Sequence, residues 1–243
     1  IVYISHRLEE LEYIVDRVVI LRDGKYIKTL DFADTNLKEI ISYMVGREIT
    51  EKFPRYDRTA GEKILEVRNL NSGNLVKDVN FSIHEGEIVG IAGLMGAGRT
   101  ETTRLLFGVD PKDSGQIFID GVEVQINKPQ DAIKNGIVLI PEDRKKDGLC
   151  TKLSIMDNIS LPNLDLFSHK IGKINRKKEK ELTGKTVRDL HIKLSSSDVD
   201  AESLSGGNQQ KVVVGKWLAK KSRIVIFDEP TRGIDVAAKV EIY

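Results

Sequence analysis

The stretch that most constrains this chain is Gly93-Leu94-Met95-Gly96-Ala97-Gly98-Arg99-Thr100. An apolar run, residues 87–92, precedes it and reads as a buried strand; a helix-compatible stretch from Glu101 to Phe107 follows. Strand, glycine loop, helix is the arrangement in which successive backbone N–H groups cradle a phosphate at a helix N-terminus. The glycines let the loop adopt positive φ and let backbone approach a ligand with no Cβ in the way. Thr100 places a hydroxyl where it could ligate Mg²⁺. The spacing is that of G-x-x-x-x-G-K-[ST], with arginine instead of lysine at position 99. The same glycines would serve a plain strand-to-helix turn, so the reading depends on what else the chain carries.

Two later stretches decide between these. Residues 223–229 form an apolar strand ending in the adjacent carboxylates Asp228 and Glu229, the place where an open α/β sheet binds its ligand. Just before it lies Leu204-Ser205-Gly206-Gly207-Asn208-Gln209-Gln210-Lys211. In this order, with Pro141-Glu142-Asp143-Arg144-Lys145-Lys146-Asp147-Gly148-Leu149 between, the motifs resemble an ATP-binding cassette. More narrowly, they resemble the second nucleotide-binding half of the ATPase subunit of ribose-, galactose- and xylose-type sugar importers, over nearly the whole chain.

The resemblance implies an α/β fold, a P-loop ABC-type ATPase domain with a mixed sheet core, an antiparallel β subdomain and a helical subdomain. It implies ATP and Mg²⁺ as cofactors, with Gly93, Met95, Gly96, Ala97, Gly98, Arg99, Thr100 and Glu101 at the nucleotide. Thr100, Asp228 and Glu142 are the implied metal residues; the family usually has glutamine at the position of Glu142. Glu229 would polarise the attacking water. Leu204, Ser205, Gly206, Gly207 and Gln209 form the signature, whose helix start would face the γ-phosphate held by another ATPase half. Ser5-His6-Arg7 resembles the switch-histidine loop, and His6 would belong to the catalytic site of a first half. Membrane subunits of the transporter would be direct partners, and a periplasmic or extracellular sugar-binding protein an indirect one. The place of action would be the cytoplasmic face of a bacterial membrane.

Composition agrees. Lys and Arg number 38 against 37 Asp and Glu, a net charge of +1, which gives no reason to expect nucleic acid as a partner. No stretch approaches the ~20 apolar residues of a membrane span, and no basic leader with an apolar run opens the chain. The single cysteine, Cys150, reads as a free structural thiol in a reducing compartment.

In order, residues 1–4 read as the end of a buried strand and Leu8 to Val15 as a helix. Arg17 to Leu21 and Lys25 to Leu30 read as strands joined by the Asp23-Gly24 turn, and Thr35 to Val45 as an amphipathic helix stopped by Gly46. Residues 1–46 are expected to be the tail of a first ATPase domain, 47–61 a linker, and 62–243 a second, C-terminally truncated one. The segment 71–78 carries no aromatic to stack on adenine, leaving Leu75 or Val76 to pack against the base. The charged run from Arg176 to Glu181 reads as a solvated helix face. Arg99 is planar and wider than lysine, and phosphoryl transfer depends on placement. The expectation is a site that binds nucleotide and hydrolyses it slowly, with Arg99→Lys raising turnover in a full-length subunit. The chain alone is expected to be inactive as an ATPase.

Overall fold

The computed structural model describes residues 1–4, 8–22, 24–46, 59–168, 173–220, 222–234 and 236–242. His6, Asp23 and most of the expected linker, 47–58, lie outside the described residues. The chain divides into two compact units, residues 1–56 with 233–243, and residues 57–232.

In the first unit, helix α1 (Leu8–Ile14) precedes an antiparallel hairpin of β1 (Arg17–Arg22) and β2 (Lys25–Asp31). Gly24 takes φ 74° in the turn, as the hairpin requires. Helix α2 (Leu37–Val45) begins at Asn36, whose side chain accepts the Glu39 N–H, and ends at Gly46 with φ 81°. Leu8, Leu11, Ile20, Ile40 and Ile41 form the buried core. The helix stripe read from the sequence therefore faces that core. Residues 1–4 correct the expectation of a buried strand. They form no strand and are exposed, Ile1, Val2 and Ile4 almost completely, and no described strand pairs with them.

The second unit opens with β3 (Lys63–Ser72) and β4 (Val76–His84), an antiparallel pair. The glycine loop and helix α3 (Arg99–Phe107) come next, then β5 (Ser114–Ile119) and β6 (Val122–Val124). The sheet order is β4-β3-β5-β6, all antiparallel. Helix α4 (Pro129–Lys134) leads into β7 (Ile137–Ile140), whose four residues are all buried. One core cluster joins this sheet to α3 and α4, through Leu65, Leu70, Leu105, Phe107, Ile117, Ala132 and Ile137.

Beyond β7 the chain is helical, in keeping with the helical subdomain that the resemblance implied: a π-turn at Arg144–Gly148, α5 (Ile155–Ser160) and α6 (Arg176–Asp189). Helix α7 (Gly206–Leu218) follows, then β8 (Ile224–Phe227), parallel to β7. A second cluster packs α5 and α7 under β7, with Ile140, Ile155, Ile159, Val212 and Val213 at its centre. One side chain departs from the solvated-face reading of Arg176 to Glu181: Glu179 is buried, held by Arg176 Nη1 at 2.7 Å. Lys211 is also buried, on α7, with its Nζ on the His191 carbonyl at 3.0 Å. Helix α8 (Val236–Ile242) belongs to the first unit, where it packs on α2. The sequence had carried these residues with the second domain.

Residues 87–92 differ most from expectation. They form no strand, and Ile88 is 80% exposed. A strand exists only where a neighbour supplies the other half of its ladder. Among the described residues β7 and β8 pair with each other alone, so the apolar run has no ladder.

Candidate functional site

The glycine loop meets α3 through backbone geometry that only glycine gives at low cost. Gly98 is the helix N-cap with φ 84° and no side-chain cap, which leaves first-turn N–H groups free for an anion. A Cβ there would stand 2.3 Å from the Leu75 carbonyl oxygen, in the β3–β4 turn. A Cβ at Gly93 would meet that of Ala97 at 2.8 Å, and Gly96 has φ 78°. Leu94 and Met95 are exposed at the crest of the loop, so Met95 offers a ligand its backbone. Glu101 sits in the first turn of α3, where a carboxylate complements the helix dipole. Of the two residues named for adenine, Leu75 is half exposed in the β3–β4 turn beside the loop, while Val76 opens β4 and is buried in the core.

The parallel pair brings the acids to this helix start. Ile140 stands opposite Phe227 in register, and the Asp228 N–H donates to the Ile140 carbonyl at 2.9 Å. Glu142 and Asp228-Glu229 therefore leave the sheet at one edge, as the sequence suggested for the C-terminal end of a parallel strand. Thr100 Oγ1 donates to Glu142 Oε2 at 3.5 Å. Asp228 is buried, and burial holds its carboxyl above the usual value, opposed by hydrogen bonds from Thr100 and Thr103 and by the Arg99 charge. Glu229 takes a left-handed backbone, φ 42°, and its carboxylate pairs with Arg99 at 3.3 Å. Glu142 is also ion-paired with Arg232.

The donor set fits a hard divalent cation. Thr100, Asp228 and Glu142 supply oxygen alone, as Mg²⁺ requires. No group of three or more His, Cys, Asp and Glu side chains placed to hold a metal occurs among the described residues.

The signature residues lie at the start of α7. Ser205 is the N-cap residue and accepts from Asn208 Nδ2 at 3.0 Å, while Gly206 and Gly207 form the first turn. Leu204 packs against the helical core cluster. Gln209 is buried and structural: its Nε2 donates to the Ala201 carbonyl and its Oε1 accepts from Arg144 Nε at 3.3 Å. Phe107 and Trp217 meet edge to face at 5.9 Å, joining α3 to α7. Two arginines had no site role of their own in the sequence reading, Arg144 and Arg232. A signal for the second was present: an acid at 142, where the resembled family has an amide, asks for a compensating cation.

A family model for the ABC transporter matches residues 76–232, which hold the glycine loop, the acids and the signature. The chain belongs to the ABC transporter family. It is 51% identical, along its whole length, to a provisionally named ribose/galactose/methyl galactoside import ATP-binding protein 1 of Agrobacterium fabrum, of which it covers 48%. It is 49% identical to the ribose import ATP-binding protein RbsA of Bacillus licheniformis and to that of Bacillus subtilis, again along its whole length and covering 49% of each. The chain thus spans about half the length of the curated relatives it matches. Among solved structures, cbiO1 from Clostridium perfringens, part of the ABC transporter complex cbiONQ, is 22% identical with a TM-score of 0.59, over 74% of this chain and 71% of that one. The ATP-binding cassette MJ0796, solved as a dimer bound to ADP and Pi, is also 22% identical, with a TM-score of 0.61 over 74% and 79%. These likenesses establish the ABC ATPase fold.

Proposed function

We propose that this chain is the second nucleotide-binding half of an ATP-binding subunit that powers monosaccharide import, preceded by the tail of a first half. The observation that carries the nucleotide reading is the meeting of Thr100, at the open start of α3, with Glu142, Asp228 and Glu229 at one edge of the parallel strands. The import reading rests on the ribose and galactose relatives. In it the Gly93–Thr100 backbone binds the β- and γ-phosphates, Arg99 supplies charge, and Glu229 orients and deprotonates the attacking water. Thr100, Asp228 and Glu142 would hold Mg²⁺, which neutralises phosphate charge. The signature at Ser205–Gly207 would be lent to a site on the other half, with His6 serving that same site. Membrane subunits at the cytoplasmic face would be the mechanical partners, and a sugar-binding protein would deliver the substrate to them.

The test is a calorimetric titration of this chain with ATP, with and without Mg²⁺. Micromolar binding is expected, tighter with Mg²⁺, and reduced at least about tenfold by Arg99→Ala, as loss of a charge-assisted phosphate contact predicts. A folded chain with no measurable affinity would sink the nucleotide reading of this loop.

A further inference from the structure

Arg144 stands at a junction that the nucleotide chemistry alone does not account for. The π-turn at Arg144–Gly148 opens on Asp143, whose carboxylate accepts the Lys145 and Lys146 N–H groups at 3.0 and 3.1 Å. Single π-turns recur at functional positions because they re-aim side chains. Here Arg144 Nε donates to Gln209 Oε1 at 3.3 Å, and its Nη1 donates to the Arg232 carbonyl at 3.1 Å. One guanidinium therefore ties the signature helix α7 to the loop that follows Glu229. Both acceptors belong to residues with further contacts. Gln209 is buried and bonded to Ala201, and the Arg232 side chain is paired with Glu142, which also takes the Thr100 hydroxyl.

We infer that Arg144 is a positioning residue that couples occupancy of the phosphate and cation site to the start of α7, through Arg232 and Glu142. This deepens the nucleotide reading and rests on it. The element with two states is the Glu142 carboxylate, which sits between a guanidinium and the Thr100 hydroxyl. A divalent cation arriving at Thr100 competes with Arg232 for it, since both are full positive charges drawn to the same oxygens. A shift of Arg232 moves its carbonyl, and a fork already bonded at two points passes that shift to Gln209. A lysine would present a single ammonium and hold one acceptor at a time.

The test uses the whole chain, Mg²⁺ with ADP as the probe, and amide hydrogen exchange as the readout. In the wild type, ligand should slow exchange in peptides covering the glycine loop and, by about threefold or more, in peptides covering 205–214. In Arg144→Ala, the glycine-loop effect and the ADP affinity should persist while the effect at 205–214 is lost. Arg144→Gln, which keeps a polar side chain should the alanine variant fold poorly, should behave the same way. Arg144→Lys should retain part of the effect. Equal protection at 205–214 in wild type and both truncating variants would overturn the coupling while leaving the nucleotide reading intact. Wild-type chain with no protection at the glycine loop would overturn that reading, and the coupling with it.

Discussion

At the residue scale the feature with most consequence is that both acids at the mouth of the site are engaged by arginines, Glu229 by Arg99 and Glu142 by Arg232. Arg99 is the cation the loop would give to phosphate, yet in this structure its guanidinium rests on the candidate base. The pair is partly exposed, 33% and 44% at the two side chains, so its net strength is that of a surface ion pair, under about 1 kcal/mol. A nucleotide must therefore compete with Glu229 for Arg99. Glu229→Gln should tighten ADP binding by about two- to fivefold at low salt, the size of such a pair. In an Arg99→Ala background the same substitution should do nearly nothing, because the competitor has lost its target. Equal tightening in both backgrounds would show plain repulsion between the carboxylate and phosphate instead. Calorimetry on the four chains measures it. The two partners of this pair were visible in the sequence as motif positions. Their mutual contact was not, because it joins residues 130 apart along the chain and local pattern carries no distance.

At the element scale, α7 shows what sequence gives and withholds. Its start and its glycines were legible, since cap residues are local signals. Its half-buried cation was not. Lys216 donates to the Gly148 carbonyl and lies 5.4 Å from the Trp217 ring centre. Burial pushes its ammonium from 10.5 down to about 8, opposed by a small effect of Cys150. The sign follows from proton counting. Below about pH 8 both folded and unfolded chains carry the proton, and the folded state bears the desolvation cost. Between about 8 and 10.5 the unfolded chain holds more protons, so stability rises with pH across that window. Against Lys216→Met, which does not titrate, the wild type should gain about 1–3 kcal/mol over that window, read from urea midpoints at each pH. A constant difference would mean that the ammonium is solvated. The apolar run at 87–92 marks the opposite limit. Hydrophobic spacing reports what a segment wants to bury, whereas its ladder depends on partners far away in sequence. Ile88, Val89 and Ile91 are as apolar as the residues of β7, yet of the two segments only β7 finds a parallel neighbour.

At the scale of the whole molecule, the two compact units divide the work unequally. Each has a core of its own: Leu8, Leu11, Ile20, Ile40 and Ile41 in the first, and two larger clusters in the second. Every residue gathered at the candidate site, from Gly93 to Arg232, belongs to the second unit. The β3–β4 turn that seats Gly98 belongs to it as well, as do the helices that carry the signature. The phosphate loop, the acids and both partners of the Arg144 guanidinium all lie within residues 57–232. A chain of residues 57–232 should therefore fold cooperatively and bind ADP with Mg²⁺ within about threefold of the longer chain, as independent sites with no shared partners do. Calorimetry on both chains, with urea unfolding to confirm a single transition in the shorter one, measures this. A loss of affinity of about thirtyfold or more in a folded 57–232 chain would place part of the nucleotide site outside the second unit. Steady ATP hydrolysis is a separate matter. The signature faces away from its own phosphate loop in the proposed arrangement, so neither chain should turn over ATP by itself. Turnover in either that Glu229→Gln abolishes would show that one unit completes a catalytic site unaided.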